Sequence, residues 1–129
     1  MSKLKINRNP SIAGGTAATA TNGTGLVRGA NATAGLEVIF DVTTAPGVDS
    51  VTCSVYARDD ISGKRVLLLA STTRTATGTE RLKIFPGLTA AANVAANDVI
   101  GDNYEVEVAH VGVGSFQYTV AVSELSAGA

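Results

Sequence analysis

The 129-residue sequence contains no tryptophan, one cysteine and one histidine. With Cys53 alone, an intrachain disulfide is impossible, and so is a zinc site built on a cysteine pair. Catalysis at His110 would need a nucleophile or acid beside it, and no G-x-S-x-G turn is present. Nor is there a G-x-x-x-x-G-K-[ST] phosphate loop or a D-x-[DN]-x-[DN]-G calcium loop. Three Tyr and three Phe are too few to supply both a core and a base-stacking platform. These absences predict a non-enzyme that uses no cofactor and no metal.

Acidic residues are missing from the first 34 positions, which carry Lys3, Lys5, Arg8 and Arg28. All eleven acids lie at or after Glu37, so the overall charge of −1 divides into +4 for residues 1–34 and −5 for the rest. An acidic remainder argues against nucleic acid as a partner. The run from Asn9 to Val27 is uncharged but rich in Gly, Thr, Ala and Asn, so it lacks the apolar stretch of a signal peptide or a membrane span. The sequons at Asn22 and Asn31 read as chance matches in a Thr/Asn-rich segment. Large aliphatics in this region are limited to Leu4, Ile6, Ile12, Leu26 and Val27. Their burial does not offset an ordering cost of about 1–2 kcal/mol per residue. Residues 1–34 therefore read as an extended arm, with a short strand around 25–29 where it meets the body.

From Gly35 the chain alternates with period two, the mark of half-buried strands. Leu36, Val38, Phe40 and Val42 share one face. Val51, Cys53, Val55 and Ala57 share the next, and Asp59–Gly63 reads as a hairpin turn into the apolar run 65–70. Leu82 and Ile84 point inward from a strand over 80–85. Residues 88–97 have helical spacing for two or three turns. Tyr104, Val106 and Val108 alternate, as do Phe116, Tyr118, Val120 and Val122, and a tight loop around Gly112–Gly114 makes the two strands a hairpin pairing Val108 with Tyr118. The domain reading is an arm over 1–34, a body over 35–125 and a frayed tail over 126–129.

Six or seven strands in 95 residues predict an all-β fold. An immunoglobulin-like β-sandwich is favoured, because Tyr104 opens a late strand where such domains place a tyrosine corner, with its hydroxyl bonded to nearby backbone. A jelly roll or small barrel is the alternative. Cys53 is assigned to the core and His110 to the rim beside Phe116. Glu105 and Glu107 share an outward face and read as a solvated or interface surface that discourages edge pairing. Ile39, Tyr56 and Phe85 also alternate outward. Exposed apolar side chains on a sheet point to contact with another chain.

The stretch RTATGTERLKIFPGLTAAANVAANDVIGDNYEVEVAHVGVGSFQYTVAVSEL, from Arg74 to Leu125, resembles small virion proteins of tailed bacteriophages, especially those of actinobacterial phages. The features that carry the likeness are R-T-A-T-G-T before a strand, the P-G-L-T-A-A-A-N-V-A run, and the Tyr104 strand ending at His110. The resemblance spans about two fifths of the chain. It implies a capsid decoration, or cement, protein on the outer surface of the virion. The expected partners are the major capsid protein and sister copies, with a trimer as one arrangement; no nucleic acid and no membrane are expected. Lys3, Lys5, Arg8, Arg28, Ile39, Tyr56 and Phe85 are the candidate contact residues, by pattern rather than by motif. The alternatives are a glycan-binding adhesion module of the virion surface and a tail-tube or head–tail connector subunit.

Overall fold

The computed structural model describes residues 3–17, 27–29, 34–59, 61–100, 103–112 and 116–128. These form nine strands: β1 (Lys3–Ala17), β2 (Val27–Gly29), β3 (Gly35–Thr44), β4 (Ser50–Arg58), β5 (Arg65–Ala70), β6 (Gly78–Ile84), β7 (Ala95–Ala96), β8 (Tyr104–Val111) and β9 (Phe116–Gly128). One sheet runs β1-β9-β3-β6-β7 and the other β2-β8-β4-β5. The fold is an all-β sandwich, and among the described residues it has no helix.

Each sheet buries one face because its strands alternate. Leu36, Val38, Phe40 and Val42 of β3 are at most 1% exposed, as are Val51, Cys53 and Val55 of β4. Leu82 and Ile84 of β6 join them, with Tyr104, Val106 and Val108 of β8 and Phe116, Tyr118, Val120 and Val122 of β9. All of these belong to one core cluster. Full burial of such an aliphatic or aromatic side chain contributes roughly 1.5–3 kcal/mol. Phe40 and Tyr118 add an edge-to-face contact, with ring centroids 5.9 Å apart.

The strand pairs are nested. β4 pairs with β5, β3 with β6, β2 with β8 and β1 with β9, all antiparallel. A nested antiparallel ribbon rolled on itself makes a jelly roll, and the pairs β3·β9 and β4·β8 then knit the roll into two sheets. The two-sheet sandwich is therefore reached through jelly-roll connectivity. The immunoglobulin-like order fails because β8 and β9 lie in opposite sheets, where that order sets the last two strands side by side. The expected Val108–Tyr118 pair is absent. Val108 pairs with Cys53, while Tyr118 pairs with Val42 and Gly15. Identical apolar alternation suits two strands facing across a core as well as it suits a hairpin.

The first 34 residues contribute strands to both sheets. β1 runs along β9 from Lys3 opposite Gly128 to Ala17 opposite Phe116, with register shifts either side of Ile12. β2 runs along β8, with Arg28 opposite Glu105. Of the predicted frayed tail, Ser126–Gly128 continue β9 and pair with Lys5, Leu4 and Lys3.

Residues 88–97 are a turn and a two-residue strand, not the predicted helix. Asn93 adopts a positive φ of 62°, a conformation that ends a helix rather than continuing it. Its side-chain amide donates to the carbonyls of Ala70 and Ser71, at 3.0 and 3.3 Å. β7 then adds to β6 in parallel through Lys83 and Ile84. A polar anchor thus outcompetes a helix too short to nucleate well. The β4–β5 turn follows its sequence: Asp59 accepts from the amide of Ile61 and the hydroxyl of Ser62, and Gly63 takes a φ of 76°.

Ile39 and Ala121 face each other on the outside of the β3·β9 pair. Directly opposed residues of an antiparallel pair bring their Cβ atoms within about 4.5–5.5 Å, close enough for a disulfide after modest adjustment. The double variant Ile39→Cys/Ala121→Cys is expected to close an intrachain bond on oxidation, seen as a mass loss of two hydrogens and a gel shift. Failure to close while Cys53 stays protected would contradict the β3·β9 register.

Candidate interaction surfaces

The outer face of the four-stranded sheet carries an ion-pair lattice. Glu105 and Glu107 on β8 are only 5% and 6% exposed although they point away from the core. Arg65 reaches across β4 to both, with Nη1 at 3.2 Å from Glu105 and 3.1 Å from Glu107, and Nη2 at 3.3 Å from Glu107. Arg58 meets Glu105 at 3.2 Å through Nε. The Arg65 guanidinium also lies 4.0 Å above the ring of Tyr56. Its pKa is pushed up, chiefly by the hydrogen bond to Glu107. The reading of Glu105 and Glu107 as solvated guards of an edge is overturned. β8 is an inner strand between β2 and β4, so these carboxylates are paired and covered.

Polar groups also enter the core. Nε2 of His110 lies 3.1 Å from the hydroxyl of Tyr118, and the two rings are tilted against each other at 5.6 Å. Nδ1 of His110 is buried, with no hydrogen-bond partner among the described residues. Burial holds the His110 pKa below 6.5. Tyr118 is pushed up to about 12 by burial first and by Cys53 second. Cys53 is likewise raised to about 12 by burial and the nearby charge of Glu80. At neutral pH this is a thiol, a neutral imidazole and a phenol, with no activated nucleophile among them. His110, predicted at the rim, is 5% exposed. On the same inner face of β9, Glu124 is 1% exposed and accepts a 2.6 Å hydrogen bond from the Tyr104 hydroxyl. The tyrosine-corner reading expected that hydroxyl to bond nearby backbone, whereas this bond crosses between sheets.

The candidate contact residues do not form one surface. Ile39 lies on the outer face of the five-stranded sheet, 37% exposed. Tyr56 lies on the opposite side of the sandwich beneath Arg65. Phe85 follows β6 with its ring against Gly35, so close that a Cβ there would lie 2.2 Å from Cδ1. The backbones of Lys3, Lys5 and Arg8 are on β1 and that of Arg28 is on β2, while their side chains lie outside the described set. Among the described residues no three of His, Cys, Asp and Glu converge as metal ligands, and no helix is long and apolar enough to cross a membrane.

Sequence reasoning missed the exposed apolar residues of β5 and its turn. Val66 is 67% exposed, Leu67 54% and Ile61 99%. The run 65–70 is apolar in sequence, but β5 forms a sheet edge. Register with Tyr56, rather than hydropathy, would have exposed the error, because Leu67 shares the outward face of Tyr56. No family model, curated protein or solved structure matches this chain.

Replacing Arg65 with Ala removes the guanidinium that two covered carboxylates share, while Glu105 keeps Arg58. The expected cost is about 3 kcal/mol of unfolding free energy, read from urea denaturation. A loss below about 0.5 kcal/mol would mean the lattice is no stronger than an exposed pair. Between the folded and unfolded pKa of His110, the unfolded chain binds more protons, so stability should fall as the pH drops below about 6.5. The variant His110→Gln should flatten that slope in urea titrations from pH 7.5 to 5.5. For Cys53 and Tyr118 the sign reverses, so stability is retained up to the unfolded values of 9.0 and 10.0 and lost as the pH climbs towards about 12. A pH-independent midpoint across both windows would refute these assignments.

Proposed function

We propose that this chain is a structural protein of a tailed-phage virion that decorates and cements the assembled head. The resemblance of residues 74–125 to small virion proteins supports the reading, as does a compact β-sandwich. The observation that carries it is the place of the basic segment. β1 holds Lys3, Lys5 and Arg8 with no acidic residue, and it forms the outermost strand of the five-stranded sheet. An outermost strand with three basic residues and no acid, on a sheet whose outer face exposes Ile39, suits an acidic, repeated surface of neighbouring capsid subunits. Each contact is weak and screened by salt, and repetition over a shell multiplies it. A protein that binds the closed shell better than its loose parts stabilises the shell by linkage.

Binding to assembled heads, measured by co-sedimentation, tests the proposal. The triple variant Lys3→Glu/Lys5→Glu/Arg8→Glu is expected to bind about tenfold or more weakly, with each lost contact contributing roughly 0.5–1 kcal/mol. Its urea midpoint should stay close to that of the parent. Undiminished binding by a folded triple variant, or wild-type binding indifferent to salt, would overturn the proposal.

A further inference from the structure

Two sheets present four outermost strands: β1, β7, β2 and β5. An exposed strand edge is a template for another chain, and proteins guard it with short strands, basic residues or proline. β7 has two residues and β2 has three. β1 is long, but it contains Lys3, Lys5, Arg8 and Pro10, and its register shifts twice. β5 is the exception. It runs six residues, Arg65–Ala70, with no proline, and its one basic residue, Arg65, is taken up by Glu105 and Glu107. Its exposed side chains include Val66 and Leu67, and fully exposed Ile61 lies in the adjoining turn. Among the described residues only its far end is closed, where Asn93 donates to the carbonyl of Ala70. A bulge at Leu68, between the pairs Val55–Leu69 and Tyr56–Leu67, is its single irregularity.

We propose that the open edge of β5 pairs antiparallel with the same edge of a second copy of this chain, joining two four-stranded sheets into one. The charge pattern selects this occupant and direction. Lys64 and Arg65 stand at one end of the strand, and the other end is neutral through Ser71. Arg65 is already held by Glu105 and Glu107, so the charge left to steer pairing is that of Lys64. Parallel pairing would set the Lys64 side chains of two copies side by side. Antiparallel pairing separates them by about 20 Å, the length of a six-residue strand. Pairing β5 with the edge of β1 would bring Lys64 against a strand that carries Lys3, Lys5 and Arg8. A strand that meets itself antiparallel obeys a two-fold axis, and the open stretch 65–69 centres that axis at Leu67. The resulting unit is a dimer, distinct from the trimer that the resemblance offers as one arrangement. It stands whether or not the chain binds a capsid.

The test uses Leu67, which is 54% exposed and so replaceable without opening the core. Sedimentation equilibrium of the full chain should show a concentration-dependent dimer. Leu67→Lys and Leu67→Glu each bring like charges together at the axis, and each should weaken dimerisation by about tenfold or more. An equimolar mixture of the two variants should associate again, because opposite charges then face each other. Far-UV circular dichroism and thermal unfolding verify that both variants fold. Should either variant misfold, amide exchange of wild-type residues 65–69 replaces it, with protection expected to rise with protein concentration. A wild-type chain that stays monomeric, variants that dimerise like the parent, a mixture that fails to recover, or concentration-independent exchange would each overturn the proposal.

Discussion

The five-stranded sheet depends on the ladders that flank β9. This strand is hydrogen-bonded on one side to β3 and on the other to β1. Its inner face delivers Phe116, Tyr118, Val120 and Val122 to the core, all essentially unexposed. Remove β1, and the donors and acceptors of one whole edge lose their partners. Remove β3, and the sheet divides. A segment too poor in apolar residues to fold alone is thus given a place by backbone pairing, which asks little of side chains. The entropy of ordering that segment is offset by a ladder, not by a core of its own.

The same logic explains which parts of the fold were legible in the sequence. The inward residues of β3, β4, β6, β8 and β9 were readable because strand alternation is a local signal with a period of two. Connectivity was not. Val106 and Val120 alternate in the same phase whether their strands adjoin or face each other across the core, so β8 and β9 read as a hairpin when they belong to opposite sheets. Residues 88–97 misled by composition, since alanine favours a helix while Asn93 forms a tertiary hydrogen bond that no local rule encodes. β5 misled for a related reason. Its run of aliphatics suggests burial, but edge position is decided by which strand fails to find a second neighbour.

The interaction surfaces were less legible than the fold. Glu105 and Glu107 occupy outward positions by alternation, and outward normally means wet. They are covered because Arg65, 40 and 42 residues away in sequence, bends over Tyr56 to reach them. Tyr56 was rightly placed outward, yet its face is taken by that guanidinium. His110, Cys53 and Tyr118 reach the core from β8, β4 and β9, so no spacing in the chain announces them as neighbours. Each is held in its neutral form by desolvation, which makes the interior quiet at neutral pH and sensitive at both extremes.

What remains on the outside is a basic outermost strand, a polar sheet face and one unguarded apolar edge, features that suit a repeating assembly. The first of these presupposes that residues 3–17 pair with β9 of their own chain. Residue-resolved amide hydrogen exchange on the isolated monomer tests that premise most directly. The account predicts that amides of 3–17 facing β9 exchange far more slowly than a free peptide and rise and fall with those of β9. Free-peptide exchange across 3–17, with β9 still protected by β3 alone, would contradict it.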